Sequence, residues 1–194
     1  KVVGSKIILS CDCLGVSGGW TPAVHLFTQS GGKLKFREDD QVFIPNIYPS
    51  DQLSIGACNG DFTLDEILIN TPKSLIDYLN IKNTEYDNLE VSSSTNKSKR
   101  NIWLLPSDKI LGKTKSFVDY QNDATAKDIK LALREGFRSI EHVKRYTTLG
   151  MATDQGKTSN LNGLQLVSKI ENKVVPAVGH TTFRPPYTPV SIGA

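Results

Sequence analysis

The sequence contains little of what marks several classes of protein. Its 194 residues include 3 Cys, 1 Met and 2 Trp. Three cysteines exclude a disulfide framework of the secreted type, so we expect a reducing, cytoplasmic location. No signal-peptide pattern is found. No apolar run approaches the roughly 18 residues that a membrane-spanning helix needs, so an integral membrane protein is not expected. The moderate content of 15 Gly and 9 Pro excludes collagen and wholesale disorder.

Charge is present in both signs but is unevenly distributed. Residues 1–95 carry 7 Lys/Arg and 12 Asp/Glu, a net charge of 7 − 12 = −5. Residues 96–194 carry 16 and 8, a net charge of 16 − 8 = +8. This asymmetry predicts two units with different partners. The basic half would suit the phosphates of a nucleotide cofactor, a nucleic acid, an acidic protein face or simply solvent.

Hydrophobic patterning in residues 1–91 predicts part of an α/β domain. The apolar run over residues 6–17, which includes Cys11 and Cys13, predicts a buried strand ended by two glycines. A helix is predicted from Thr21–Pro22 to Gly31, with Ala23, Val24, Leu26 and Phe27 as its apolar face. Short strands are predicted at 34–36, at 42–44 and from Leu53. A turn at 56–60 then leads to a helix capped by Thr63 and Glu66, with a break or kink at Pro72.

The second half is predicted to be mostly helical after a polar linker at residues 92–100. Residues 102–106 form an apolar anchor segment, and residues 181–189 form an extended, proline-stiffened connector. The predicted helices are one over residues 125–140 with a Thr125–Asp128 capping box and the apolar face Ile129, Leu133, Phe137 and Ile140, and one starting near Ser159 with Leu161, Leu164, Val167 and Ile170.

Residue patterns alone give weak signals for chemistry. The turn at residues 55–60 leads into a helix, whose N-terminus favours anions, but the Gly-x-Gly-x-x-Gly fingerprint of dinucleotide binding is absent. Cys11, Cys13 and His25 lack a fourth ligand at zinc-site spacing. Cys58 has no His or acid nearby in sequence that would activate a nucleophile. We therefore assign no catalytic residue and no metal ligand.

Five blocks of sequence resemble the α subunit of the heterotetrameric sarcosine oxidase family and its relatives among opine and proline oxidase subunits. They occur in family order at residues 17–26, 56–57, 117–123, 145–157 and 181–189. The resemblance implies that residues 1–91 are the end of a disulfide-reductase-like, Rossmann-type NAD-binding domain. Residues 101–175 would be a small helical domain similar to bacterioferritin-associated-ferredoxin (BFD-like) [2Fe-2S] modules. Residues 176–194 would connect to an aminomethyltransferase-like, folate-binding domain.

The helical part departs from its cluster-binding relatives. Those relatives place cysteines where this chain has Asp119, Gln121, Asp154 and Ser159. Iron–sulfur clusters are held by thiolates, so no cluster can be ligated here in the usual way. We expect the scaffold to serve as packing and interface.

The resemblance also implies cofactors and partners. In the family the α subunit carries NAD, the β subunit carries FAD, and FMN lies at the interface between them. The implied contacts are Ala57, Phe62 and Leu64 for NAD, Thr148, Lys157 and Thr158 for the flavin interface, and Tyr187 for tetrahydrofolate. The implied partners are the β, γ and δ subunits, with no nucleic acid and no membrane. Amine oxidation would occur at the flavin of the β subunit.

The implied activity is the oxidative demethylation of sarcosine to glycine with O₂, with the one-carbon unit passing to tetrahydrofolate or leaving as formaldehyde. This segment would give scaffold, part of an NAD site and a flavin and β-subunit interface. Two alternatives stay open: a subunit of a related opine or proline oxidase, or a non-catalytic interaction module whose basic helices dock on an acidic partner or nucleic acid.

Overall fold

A computed structural model describes residues 4–5, 7–15, 17–49, 51–82, 91–92, 101–105 and 113–193. The predicted linker falls almost wholly outside these residues, so the domain boundaries stay predictions. Among the described helices, none combines the length and apolarity that crossing a bilayer requires. The structure mixes helices with two separate two-stranded antiparallel sheets, which agrees with a mixed α/β class in its coarsest form.

The apolar run near the start of the chain is not a buried strand. Residues 7–15 form neither helix nor strand, and Leu9 is 81% exposed. Cys11 and Cys13 are exposed free thiols. A strand inside a parallel sheet needs hydrogen-bonded neighbours on both sides, and the described part of the chain provides none for this run. The prediction of a buried strand with buried cysteines is therefore wrong for this structure.

The predicted helix and hairpin that follow are present with shifted bounds. Helix α1 spans His25–Gln29 and begins after Val24, not after the predicted cap Thr21. It buries His25, Phe27 and Thr28, whereas Leu26 is exposed. Strands β1 (Lys33–Arg37) and β2 (Val42–Ile47) pair antiparallel, which confirms the predicted hairpin.

The next segment contains a helix without a preceding strand. Residues 53–55 have no regular structure, so the predicted strand from Leu53 is wrong, and a short 3₁₀ helix spans Gly56–Asn59. Helix α2 spans Leu64–Leu79, and both hydrogen bonds of the Thr63–Glu66 capping box are formed, as predicted. The prediction at Pro72 was a break or a kink; the helix continues through this residue, so a break is absent. A proline removes one backbone bond, which a 16-residue helix tolerates when its other bonds are intact.

The second half forms the main hydrophobic core. A short hairpin joins β3 (Phe117–Asp119) to β4 (Ala124–Thr125), and it leads directly into helix α3. The four helices are α3 (Ala126–Arg134), α4 (Ile140–Thr147), α5 (Asn160–Glu171) and α6 (Val175–Val178). The fully or nearly fully buried apolar side chains of this half include Ile129, Leu133, Ile140, Val143, Leu149, Leu164, Leu166 and Val167.

The predicted helix over residues 125–140 is split into two. Its capping box is formed as predicted, with the Asp128 backbone N–H donating to Thr125. Helix α3 ends at Arg134, and α4 begins six residues later. Gly136 between them has a left-handed φ of 97°, which no helix can continue through. The resulting corner lets Ile140 turn back into the core that α3 begins.

The two halves touch through the predicted anchor segment. The Trp103 indole N–H donates to Gln41 Oε1 (2.8 Å), and the Asn101 side-chain amide donates to the Asp40 carbonyl (3.1 Å). Leu104 and Phe43 are partly buried against the helical core. The hairpin β1–β2 is thereby fixed against the second half, which brings α1 near the loop that carries the candidate site.

Candidate functional site

The loop over residues 148–159, between α4 and α5, has a compact backbone that only particular residues allow. Helix α4 ends at Thr147, and the next residue, Thr148, has a left-handed φ of 59°. A Cβ atom on Gly150 would lie 2.1 Å from Asn160 Oδ1, and one on Gly156 would lie 2.2 Å from the same atom. Both glycines are therefore required for the Asn160 side chain to sit against the backbone of the loop. We call this segment the 148–159 loop.

A buried carboxylate fixes the loop to the rest of the helical half. Asp119, at the end of β3, is 2% exposed. Its Oδ1 accepts from the Gln121 backbone N–H (2.9 Å), and its Oδ2 accepts from the Gly150 N–H (2.7 Å) and from the Ser159 hydroxyl (3.4 Å). One side chain thus joins a strand end, the start of the loop and the cap of α5. A buried carboxylate with three donors is a stable arrangement that neutral substitutes cannot reproduce.

Asp119, Gln121, Asp154 and Ser159, the positions predicted to correspond to the cysteines of cluster-binding relatives, are linked by hydrogen bonds in this structure. Asp119 contacts Ser159, and Gln121 Oε1 accepts from the Thr153 hydroxyl (2.7 Å) and from the Asp154 N–H (3.4 Å). Their polar side chains bond to one another and to the loop. Within the described residues there is no group of three or more His, Cys, Asp or Glu side chains that would hold a metal ion.

Asp154 organises the middle of the loop. Its carboxylate accepts from the Gly156 N–H (2.9 Å), the Thr158 N–H (3.2 Å) and the Thr158 hydroxyl (2.7 Å). Partial burial by itself would raise the pKa of Asp154, but these hydrogen bonds and the nearby charge of Lys157 outweigh it and lower the pKa. The carboxylate is therefore ionised at neutral pH and holds the turn before α5.

A cationic surface cleft of about 430 Å³ lies beside the loop. It is bordered by α4, by residues 150–155 and by the tail at residues 183–185. Lys144 and Arg145 from α4 and Arg184 from the tail all line it. Glu141, also in the lining, accepts from the Thr182 backbone N–H (3.0 Å) and so ties the tail to α4. Three cations at one cleft favour an anionic ligand group.

The three predicted flavin contacts lie on the loop but not in this cleft. The Thr148 carbonyl accepts from the Asn122 side chain (2.9 Å), and Thr158 is bonded to Asp154. Lys157 Nζ donates to the Tyr187 carbonyl (2.9 Å) and lies 4.0 Å from the centroid of the Tyr187 ring. The structure thus joins Lys157 to Tyr187, the residue predicted for folate. All four assignments stay predictions.

His25 joins this contact from the other half of the chain. Its ring centroid lies 3.9 Å from that of Phe183 and 5.6 Å from that of Tyr187. Burial and, to a smaller extent, the charge of Lys157 together lower the pKa of His25 to about 4. The imidazole is therefore neutral at physiological pH and packs as a flat, nearly apolar surface.

The three residues predicted to contact NAD lie in the stretch from the 3₁₀ helix to the first residue of α2. Ala57 is exposed on the 3₁₀ helix, Phe62 is half-buried, and Leu64 is exposed. The Glu66 carboxylate accepts from the backbone N–H groups of Phe62 and Thr63 (3.2 Å each). The turn thus offers apolar surface, and the two backbone N–H groups just before α2 are already bonded to the Glu66 carboxylate.

Sequence reasoning did not find Arg184 or Phe183 as site residues, nor His25 as a partner of the tail. The family-like blocks at residues 145–157 and 181–189 indicated part of this site, because both contain cations next to turn residues. Nothing in local sequence indicates that α4 and the tail border one cleft. That juxtaposition depends on the bonds from Glu141 and Lys157 to the tail.

Comparisons with known proteins agree with the resemblance seen in the sequence. Residues 113–194 match the family described as the sarcosine oxidase A3 domain. The chain is 36% identical over 201 residues to the sarcosine oxidase subunit alpha of Rhizobium meliloti strain 1021, covering 98% of this chain and 19% of that protein. The corresponding subunit of Corynebacterium sp. strain P-1 is 34% identical over 204 residues, covering 100% of this chain and 21% of that protein.

The chain therefore spans about a fifth of the length of the curated relatives it matches. Among solved structures, the crystal structure of L-proline dehydrogenase from P. horikoshii has a similar fold, with a TM-score of 0.52 and 21% identity. That similarity covers 89% of this chain and 37% of the other. At this identity the likeness concerns the fold alone.

Proposed function

This chain belongs to the sarcosine oxidase α-subunit family, as a segment of such a subunit, and we propose that it provides a flavin-facing interface in an oxidase that demethylates sarcosine to glycine with O₂. The one-carbon unit would pass to tetrahydrofolate or leave as formaldehyde. The proposed partners are a FAD-bearing β subunit and the γ and δ subunits. The segment itself would contribute scaffold and binding surface, and no catalytic acid, base or nucleophile.

The cleft between α4, the 148–159 loop and the tail is the observation that carries this proposal. Its three cations, Lys144, Arg145 and Arg184, suit the phosphate of FMN. The cleft is on the surface, so a second subunit would be needed to enclose the isoalloxazine ring. Flavin chemistry would supply electron transfer, and these residues would bind and orient the phosphate end. Thr148, Lys157 and Thr158 would support the loop behind it.

The start of α2 fits only part of NAD. Ala57, Phe62 and Leu64 offer apolar contact to a ring of the cofactor. They do not fit its pyrophosphate, because Glu66 accepts from the amides at this helix start and Asp65 adds a second negative charge to the first turn. We propose that this turn touches a base or nicotinamide ring and that the phosphates are bound by other parts of the α subunit.

Tyr187 is proposed to reach tetrahydrofolate. Tyr187 is 42% exposed, and Lys157 lies over the face of its ring. The exposed part of the residue would be available for contact with a neighbouring domain. The Lys157–Tyr187 pair would then place the folate side of the tail next to the flavin side of the loop.

The flavin assignment is tested by charge reversal in the assembled complex. The variant Arg145→Glu should lower the flavin recovered with the complex severalfold, measured as flavin absorbance per mole of protein, because it places a carboxylate against the phosphate. Lys157→Glu should give a smaller loss, since Lys157 acts behind the cleft. Lys173→Glu is the matched control, because Lys173 is exposed and lies far along the chain at the end of α5. Equal flavin content in Arg145→Glu and the control would reject the assignment.

A second candidate function rests on another basic surface. A groove of about 620 Å³ between α3 and α5 is lined by Lys127, Lys130, Arg134 and Arg138 around apolar side chains. This surface suits the interaction module that sequence analysis left open, with an acidic protein as the partner. Binding of an acidic protein that weakens steeply with salt, without any flavin, would favour it over the oxidase interface.

A further inference from the structure

The groove between α3 and α5 presents apolar and cationic side chains together. Its volume is about 620 Å³, and none of its lining residues belongs to the cationic cleft beside the 148–159 loop. Its apolar lining consists of Leu131, Leu133 and Ile170. Leu133 is buried in the core, whereas Leu131 and Ile170 are only half-buried and still reach solvent. The groove is therefore a separate surface with apolar area left to cover.

Three cations of the lining form a row along α3. Lys127, Lys130 and Arg134 occupy positions i, i+3 and i+7, which lie on one face of a helix, and all three are exposed. At a rise of about 1.5 Å per residue, the row extends for about 10 Å along the helix axis. One rim of the groove thus carries positive charge at a spacing that is fixed by a rigid helix.

Most of this charge is not neutralised within the chain. Glu171 is the one carboxylate among the described lining residues, and it already pairs with Arg138 of the lining and with Lys173 (3.2 Å). Arg134 pairs with its exposed neighbour Glu135 (3.2 Å). Lys127 and Lys130 form no ion pair with any residue that the structure describes. The groove therefore attracts an acidic group, most strongly at these two lysines.

The lining also selects the kind of acidic partner. It contains no aromatic side chain in the described part of the chain, whereas single-stranded nucleic acids are bound by aromatic rings on which their bases stack. All its residues belong to α3, to α5 or to the corner at Arg138, so no sheet edge is available to which an extended segment could add a strand. A groove between two helices is instead filled by the side chains of a third helix.

We propose that the groove between α3 and α5 binds an acidic amphipathic helix of a partner protein. The apolar stripe of that helix covers Leu131 and Ile170, and its carboxylates meet Lys127, Lys130 and Arg134. Apolar contact supplies most of the affinity, since exposed ion pairs each contribute little, and the charges set orientation and speed association. This inference rests on the second candidate function, whose partner it specifies, and does not depend on the flavin assignment.

The test titrates the full chain into a fluorescent synthetic peptide of about 14 residues, with leucines at i, i+4, i+7 and i+11 and glutamates beside them. Fluorescence anisotropy should show saturable binding of one peptide per chain, weakened about tenfold between about 50 and about 500 mM NaCl. A peptide of the same composition, with its leucines scattered around the helix, should bind at least about tenfold more weakly because it has no apolar stripe.

Paired charge reversals locate the binding. The double variant Lys127→Glu with Lys130→Glu should weaken binding of the striped peptide at least about tenfold. Lys33→Glu with Lys35→Glu, both exposed on β1, is the matched control and should bind as the parent chain does. Carbodiimide, which couples ammonium groups to carboxylates in contact, should join the peptide to Lys127 or Lys130 and not to the β1 lysines.

The possible failures are distinguishable. Equal affinity for the two peptides would reject the docked helix and leave an acidic partner of another shape, and with it the second candidate function. Absence of binding by both peptides, or parental affinity in the Lys127 and Lys130 variant, would overturn the helix and the acidic partner together. No flavin takes part in these measurements, so none of these failures affects the proposed flavin interface.

Discussion

Helices α2 and α5 show how differently the two halves of the chain use an amphipathic sequence. Helix α2 has 16 residues, all of them described, and none is buried. Helix α5 has 12 residues and buries every residue from Gly163 to Ser168. Leu64, Ile69 and Leu79 of α2 are each more than half exposed. A helical pattern therefore predicts that a helix forms, but it does not predict how much of that helix the rest of the chain covers.

The sequence signals for the start of a helix are nevertheless equally strong in the two halves of the chain. Both α2 and α3 begin with a complete capping box, at Thr63–Glu66 and at Thr125–Asp128. The difference arises in packing, because α3, α4 and α5 contact one another around a shared core. Most helical stability in proteins comes from such contacts and not from capping or propensity. The second half should therefore dominate the stability of this chain.

The largest expected effect comes from matched leucine truncations. Leu166→Ala removes a side chain that is 2% exposed in α5 and should lower the free energy of unfolding by about 3 kcal/mol, from lost burial and the cavity left behind. Leu79→Ala in α2, at 57% exposure, should change it by less than about 1 kcal/mol. Urea denaturation measures both. Equal losses would show that α2 is packed in solution.

Matched glycine substitutions give the next effect. Gly150→Ala combines a positive φ with a Cβ that would overlap Asn160, and should cost about 3 kcal/mol. Gly31→Ala has a positive φ of 90° in open space, so it should cost about 1 kcal/mol. Thermal or urea unfolding compares the two. A small effect at Gly150 would mean that the 148–159 loop relaxes easily and is not rigid.

The contact of His25 with the tail predicts how stability depends on pH. Because the folded-state pKa of His25 is about 4 against 6.5 when unfolded, the unfolded chain binds more protons between these values. The stabilisation from neutral His25 is complete above pH 6.5 and should fall by about 2 kcal/mol as the pH drops toward 4. Unfolding measured across this range should show a shallower dependence in His25→Gln, with His142→Gln as control. Parallel curves for parent and His25→Gln would contradict the burial of this ring.

The smallest effect concerns the two capping boxes. Thr125→Ala should lower the free energy of global unfolding by about 1 kcal/mol, since α3 belongs to the core. Thr63→Ala should remove a similar local stabilisation but act mainly by fraying the first turn of α2. Hydrogen exchange of the backbone amides distinguishes local fraying from global unfolding. Similar losses in global stability would place α2 in the same cooperative unit as α3.

Elements defined by short-range chemistry could be predicted from the sequence. The hairpin β1–β2 and both capping boxes were predicted because turn residues and hydroxyl caps act within about four residues. The start of α5 near Ser159 was also predicted, but the Ser159 hydroxyl donates to Asp119 and does not cap the helix. The buried strand at residues 6–17 was not, because burial of a strand depends on neighbours that its own sequence cannot specify. The prediction of a single helix over 125–140 was wrong at Gly136, because the helical spacing of apolar residues continues across a turn of the backbone.

The candidate site likewise combines features that the sequence predicts with features that only the fold produces. The family resemblance of the block at residues 145–157 pointed to a site there, with Thr148, Lys157 and Thr158 as the implied contacts. The cleft itself needs Arg184 from the tail beside Lys144 and Arg145 from α4, and those residues are about forty positions apart in the chain. No pattern within a local window indicates that pairing, so the cleft could be found only in the folded chain.

The sequence by itself determined the family, the division of charge between the halves and the local caps and turns, because each of these depends on residue identity over short distances. Only the tertiary structure decided which apolar faces are covered, that the tail lies against both α4 and Lys157, and that His25 is enclosed by residues from the far end of the chain. The physical reason is that burial and desolvation are properties of assembled surroundings, and a side chain acquires them only when distant segments meet.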